Sequence, residues 1–103
     1  MLLHVKIVKV MWLSANEGGR KNPPPVGRYF SVARFPDDKV WQNNAWSVVL
    51  DLSPPENIGG DKVSSGFLDF MMDNAPKEKL EENDTFEIYE GPHKVGVVSI
   101  LEK

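Results

Sequence analysis

Six apolar stretches of this 103-residue chain repeat with a period of two and end at Gly, Pro, Asn or Asp. That period sends alternate side chains to opposite faces of an extended strand, so the stretches read as half-buried strands. "AWSVVLDL" (45–52) is the clearest: Trp46, Val48, Leu50 and Leu52 fall on one side, Ser47 and Asp51 on the other. "SSGFLDFMM" (64–72) puts Leu68, Phe70 and Met72 on one face, with Phe67, Asp69 and Met71 opposite. "DTFEIYE" (84–90) points Phe86 and Ile88 inward and Thr85, Glu87 and Tyr89 outward. "GRYFSVARF" (27–35) alternates Phe30 and Val32 with Tyr29, Ala33 and Phe35, and "KVGVVSILE" (94–102) supplies a last strand.

The first stretch, Leu2 to Leu13, changes parity. Leu3, Val5 and Ile7 share one face, and then Val8, Val10 and Trp12 take the other. A β-bulge near Ile7–Val8 keeps one face buried through the flip; burial on both sides is the alternative.

The connections fix the class. "EGPH" (90–93) joins the last two strands as a tight hairpin, "FPDDK" (35–39) is a turn, and "SPPENIGGDK" (53–62) is a longer loop. "DNAPKEKLEEN" (73–83) offers Asn74 as an N-cap and Pro76 in a first turn, which predicts one helical turn over a barrel end with Leu80 packing down. No other segment has a helix-length amphipathic pattern. Residues 1–103 are therefore expected to form one all-β domain, a sandwich or a closed antiparallel barrel, closure being what removes exposed strand edges. Val48, Leu50, Phe70, Phe86, Ile88 and Val98 are the expected deep core.

Composition excludes several function classes. At 41% apolar and 26% charged residues the chain is globular rather than disordered. With no cysteine, disulfide and thiolate chemistry are excluded, which fits a reducing compartment. His4, Lys6 and Lys9 interrupt the apolar start, so neither a signal peptide nor a membrane span is expected and the cytoplasm is the expected location. No phosphate-binding glycine loop, GxSxG or HExxH is present, and the two histidines, His4 and His93, lie far apart in sequence. Acidic pairs such as Asp37–Asp38 and Glu81–Glu82 sit in turns as solvated charge. No catalytic residue, cofactor or metal is expected, and the chain does not read as an enzyme.

The loop "NEGGRKNPPP" (16–25) reads least like packing. Gly18 and Gly19 supply backbone angles other residues resist, and Pro23–Pro25 stiffen the exit. On that reading Arg20 and Lys21 are solvated. Alternatively, a stiff loop loses little entropy on docking, and two cations there grip phosphate or carboxylate.

Two motifs in this chain resemble the C-terminal β-barrel domain (domain III) of bacterial elongation factor Tu. "LSANEGGRKNPPPVGRYF" is similar to that domain's opening loop: Glu17, Gly18, Gly19 and Arg20 match its Glu-Gly-Gly-Arg, and Pro23 and Gly27 fit the spacing that follows. Arg28-Tyr29-Phe30 stands where the family has Tyr-Arg-Pro, and Lys21 replaces a frequent histidine. "FEIYEGPHKVGVVSILE" is similar to its closing hairpin through Phe86, Ile88, Glu90, Gly91, Val95 and Gly96. The resemblance implies a single six-stranded antiparallel closed barrel. It also implies a docking module that touches the T-stem of transfer RNA and packs on neighbouring domains or partner factors. By position, Arg20 inherits a phosphate contact. The chain has no counterpart of the family's GTP-binding domain, so GTP hydrolysis is not implied.

Charge chooses between the implied partners. Residues 1–50 hold seven Lys/Arg against three Asp/Glu, and residues 51–103 hold five against twelve, so +4 and −7 combine to a net −3. The two halves either meet each other or face different partners. An acidic total disfavours non-specific nucleic-acid binding, so another protein is the favoured partner, with no DNA and no membrane. The alternative is RNA, tRNA or a similar molecule, bound through Arg20, Lys21, Arg28 and Arg34. The expected binding residues are Glu17, Gly18, Gly19, Arg20, Lys21, Arg28 and Arg34; the oligomeric state is left open.

Overall fold

A computed structural model describes residues 5–36 and 46–102. Its strands are β1 (Lys6–Trp12), β2 (Gly27–Arg34), β3 (Trp46–Leu52), β4 (Glu56–Ile58), β5 (Asp61–Phe70), β6 (Thr85–Glu90) and β7 (His93–Glu102). One 3-10 turn at Ala15–Glu17 and one α-helical turn, α1 (Lys79–Glu82), complete it. The sheet runs β1-β7-β6-β2-β3-β5-β4, and β1 also pairs with β5. That pairing, from Lys6 opposite Leu68 to Trp12 opposite Lys62, closes six antiparallel strands into the expected barrel, with β4 as an added seventh. Leu3, His4 and the Asp37–Asp38 pair lie outside the described residues.

The alternation read from sequence sorts the barrel wall. Val48, Leu50, Phe70, Phe86, Ile88 and Val98 are all buried. Phe35 tilts against Phe86 with ring centroids 4.7 Å apart and against Phe70 at 6.2 Å. The parity change in β1 is not resolved by the expected bulge in that strand: β1 stays in register with β5 residue for residue, and the residue skipped in its ladder with β7, between Ile7 opposite Glu102 and Val8 opposite Ile100, is Leu101 of β7. Val8, Val10 and Trp12 point inward, and Ile7 is 41% exposed.

Three further expectations need correction. Residues 53–62 are not simply a loop, because they contain β4 and a hairpin turn onto β5. Leu52 pairs with Gly66 and Glu56 with Val63, so 53–55 on one side stand opposite 64–65 on the other. This is a bulge of one extra residue in an otherwise continuous β3–β4 strand. Pro54 and Pro55 cannot donate to a ladder and are accommodated in the bulge, where Ser53 N–H donates to Ser65 O at 2.8 Å. Gly59 (φ 59°) and Gly60 (φ 92°) then make the turn.

Asn74 does not cap α1; Glu78 precedes it. Ala75 N–H already donates to Met72 O, which places Asn74 inside a separate turn. The helical bonds start at Pro76, whose carbonyl accepts from Lys79 N–H at 3.0 Å. Leu80 does pack down and is fully buried. Met72 does not share the inward face of Leu68 and Phe70, because β5 ends at Phe70 and the chain turns outward.

Phe86 is 1% exposed and packed against Phe35. Phe86→Ala is expected to cost about 3–5 kcal/mol in denaturant unfolding, the range for truncating a buried aromatic. A cost below about 1 kcal/mol would mean that its cavity collapses freely.

Candidate functional site

The glycine-arginine loop leaves β1 at one barrel end and is held there by its own residues. Leu13 N–H donates to Val95 O at 2.9 Å. The Glu17 carboxylate accepts from the Ser14 N–H at 2.9 Å and from the Ser14 hydroxyl at 3.1 Å. These bonds, the backbone one first, hold the Glu17 carboxyl below its usual range. The two glycines do different jobs. Gly18 has φ 89°, a left-handed angle that closes the 3-10 turn. Gly19 must lack a side chain, since a Cβ there would lie 2.3 Å from Leu13 O.

Arg20 is not a solvated cation. Its Nη1 donates to Glu90 Oε2 at 2.5 Å and its Nε donates to Asn22 O at 3.0 Å. Its guanidinium also lies 5.7 Å from the centre of the Tyr29 ring. The Tyr29 hydroxyl donates to the same Glu90 oxygen. Burial, with the Glu90 bond adding to it, raises the Tyr29 pKa well above its ordinary value. Tyr29 meets Trp12 edge-on at 5.4 Å, and the Trp12 indole N–H donates to the buried Ser64 hydroxyl at 2.8 Å. An unbroken chain of contacts thus runs from the loop cation to the barrel interior.

The remaining expected cations are not gathered around Arg20. Lys21 is exposed. Arg28 and Arg34 both face outward on β2, six residues and roughly 20 Å apart. Arg34 lies 4.5 Å over the Tyr89 ring, beside a Glu87 carboxylate that is ion-paired with Lys94 at 2.8 Å and accepts from the Tyr89 hydroxyl at 2.9 Å. Arg28 is exposed and has no ion-pair partner among the described residues. The structure therefore unites Glu17, Gly18, Gly19 and Arg20 as one loop and leaves Lys21, Arg28 and Arg34 apart from it. No group of three or more His, Asp or Glu among the described residues is placed to hold a metal ion.

Sequence reasoning missed the outer wall of β2, β3, β5 and β1. Cross-strand pairing sets two rows there. One runs Arg28, Asp51, Phe67, Ile7 and the next runs Phe30, Val49, Asp69. Phe30 and Phe67 are each 54% exposed and Met71, beyond the second row, is 50% exposed. With Val5 they line an open groove of about 660 Å³. Asp69 is half-buried in it, its Oδ1 accepting from Phe70 N–H at 2.8 Å. The signal was in the sequence: "FLDFMM" is apolar at both parities, and a strand covered on one side only cannot bury both.

No family model, curated protein or solved structure matches this chain. The likeness to the elongation factor Tu barrel thus rests on the two motifs, and in this chain their residues hold the loop. Glu17 ties to Ser14, Arg20 ties to Glu90, and Gly91, with φ 57°, turns the last hairpin.

Three outcomes follow from this geometry. Gly18→Val is expected to cost about 1–2 kcal/mol for forcing a side chain into the left-handed region, and Gly19→Val more, because backbone must move. Arg20→Ala is expected to cost about 1 kcal/mol, since its bonds are charge-assisted but partly exposed. A double-mutant cycle with Glu90→Gln should show these two residues coupled; independent effects would mean the pair contributes nothing.

The third outcome concerns alkaline pH. The folded Tyr29 pKa lies above its ordinary 10.0, so the folded state keeps a proton that the unfolded state releases. Stability is then present below pH 10 and falls as pH rises past it. Tyr29→Phe should flatten that fall in chemical denaturation measured from pH 8 to about 11; an unchanged slope would reject the assignment.

Proposed function

We propose that this barrel is a non-catalytic docking module that engages another protein through the outer wall of β2, β3, β5 and β1. The observation that carries the reading is the exposure of Phe30 and Phe67 on one face, with Met71, Ile7 and Val49 between and beside them. Apolar surface of this kind costs free energy in water and is regained only on association. Aromatic side chains, Met and Arg are the residues enriched where protein interfaces are most buried, and this wall carries all three. The resemblance of two of its motifs to the elongation factor Tu barrel, itself a docking domain, is in keeping with this role. No helix among the described residues is long and apolar enough to cross a membrane, and the cytoplasm is the proposed location.

Binding of RNA through the loop is the competing reading. It rests on Lys21 and Arg28, because Glu90 already holds Arg20 and Arg34 lies over Tyr89. Photo-crosslinking separates the two. A benzophenone amino acid in place of Phe67 is expected to give protease-sensitive adducts in cells, whereas the same group in place of Lys21 gives none. RNA adducts at position 21, with transfer-RNA binding that weakens steeply with salt, would favour the competing reading. Absence of protein adducts at position 67 would sink the docking role of this wall.

A further inference from the structure

One charge on the outer wall has no opposite neighbour among the described residues. Arg28 stands directly across the β2–β3 ladder from Asp51, so these two exposed side chains offset each other. Asp69 has no such counterpart. It lies opposite Val49 on β3 and is half-buried, and its Oδ1 accepts from the adjacent Phe70 N–H. The cations of the wall stand well away from it. Arg28 is two strands off, roughly 12 Å by strand spacing and rise, and Lys9, opposite Ser65, is roughly 14 Å off. Arg34 lies beyond Phe30, over the Tyr89 ring.

The nearest charge to Asp69 is another carboxylate. Asp51 faces Phe67 across the β3–β5 ladder, which sets Asp51 and Asp69 at diagonal corners roughly 7–8 Å apart. Phe67 and Val49 hold the other two corners. This square opens into the groove of about 660 Å³ that Phe30, Met71 and Val5 also line.

Two carboxylates flanking an aromatic ring suit a cation carried on an apolar stem. Arginine fits better than lysine, because its planar fork donates to both carboxylates while its face stacks on the ring. Arg28 limits the charge that can enter. It lies roughly 8 Å from the centre of the square, close enough to repel a run of basic residues. One cation against two carboxylates leaves 1 − 2 = −1, so a single guest cation completes the balance. Phe30 and Met71 lie outside the square and need apolar cover that an isolated cation does not give. Resting on the docking reading above, we infer that the partner presents to this wall a single arginine set between apolar side chains, its guanidinium held by Asp69 and Asp51 over Phe67.

Selection of phage-displayed random peptides on the wild-type chain, with Phe67→Asp used to remove binders of other surfaces, tests this. The survivors are expected to carry one arginine flanked by aromatic or aliphatic residues. In a synthetic copy of the strongest, alanine for that arginine should weaken binding at least about tenfold. Asp69→Asn in the chain should weaken it by a similar factor, and the two changes together by little more than either alone. Asp69→Asn keeps an oxygen for the Phe70 N–H, and circular dichroism shows whether each variant is folded. Asp51→Asn should weaken binding as well, and lysine for the peptide arginine should restore only part of it.

Survivors without a basic residue, or dominated by runs of basic residues, overturn the arginine assignment. So does an arginine whose removal and Asp69→Asn act independently, or a selection with no survivor that depends on Phe67. In each of these cases crosslinking at position 67 decides the docking reading separately. Protein adducts there in cells keep the wall as an interface for a partner of other chemistry, and their absence removes both.

Discussion

Trp12 is where the barrel closes. It ends β1, the strand that pairs on one side with β5 and on the other with β7, facing Lys62 across one ladder and Gly96 across the other. Gly96 packs closely there: a Cβ would sit a tight 3.1 Å from both Met11 O and Val10 Cγ1 and would touch the Trp12 ring at 3.4 Å. The indole N–H satisfies the fully buried Ser64 hydroxyl, and the ring edge meets Tyr29. Through Tyr29 and Glu90 the same residue sets where Arg20, and hence the loop, can lie. Truncating the indole would therefore leave a buried polar atom unpaired and release the loop's anchor together, two costs from one side chain.

What the sequence made legible follows one rule and fails where that rule has no purchase. Strands with a polar face, such as 45–52 and 84–90, declare their inward side, because only one parity can be buried. The parity change at Ile7–Val8 was legible too, but it misled: it marks apolar residues on both faces of a regularly alternating strand, not a bulge in β1. β4 was hidden because Pro54, Pro55, Gly59 and Gly60 are residues that usually end strands. Here the prolines occupy a bulge and the glycines a turn, positions that need no ladder donor and a left-handed backbone respectively. The cap of α1 was misplaced because Asn74 is a good cap by composition, yet local bonding had already committed it to another turn. Neither case is decided by residue type alone: β4 depends on β5 lying alongside, and the cap on the local turn that already holds Asn74.

The charge asymmetry of the chain has a partly internal explanation. Arg20 from the basic half pairs with Glu90 from the acidic half, and Lys6 pairs with Glu81 across the same division. The halves meet because β1 and β2 lie beside β7 and β6 in the closed sheet. This bears on how the loop is read. An arginine already held by a carboxylate, a backbone carbonyl and an aromatic ring must give up contacts before it can grip a phosphate. The outer wall requires no such exchange: its aromatic side chains are exposed as the chain folds.

That exposure is not something the barrel needs. β5 carries large apolar residues on both faces, Leu68 and Phe70 inward and Phe67 outward, with Met71 exposed just past its end. Hydrophobic pattern alone specifies its register weakly, since a one-residue slip exchanges one apolar face for the other. Two residues hold the register instead. Asp69 would be driven into the core by a slip, an unpaired charge in an apolar interior. Gly66 passes so close to Asp51 that a Cβ would lie 2.2 Å from its carbonyl oxygen, so no neighbouring residue of β5 can take its place. With register fixed this way, a polar residue at position 67 would leave the inner packing untouched and make the alternation less ambiguous. The barrel has no use for Phe67 on its outer face; an interface does.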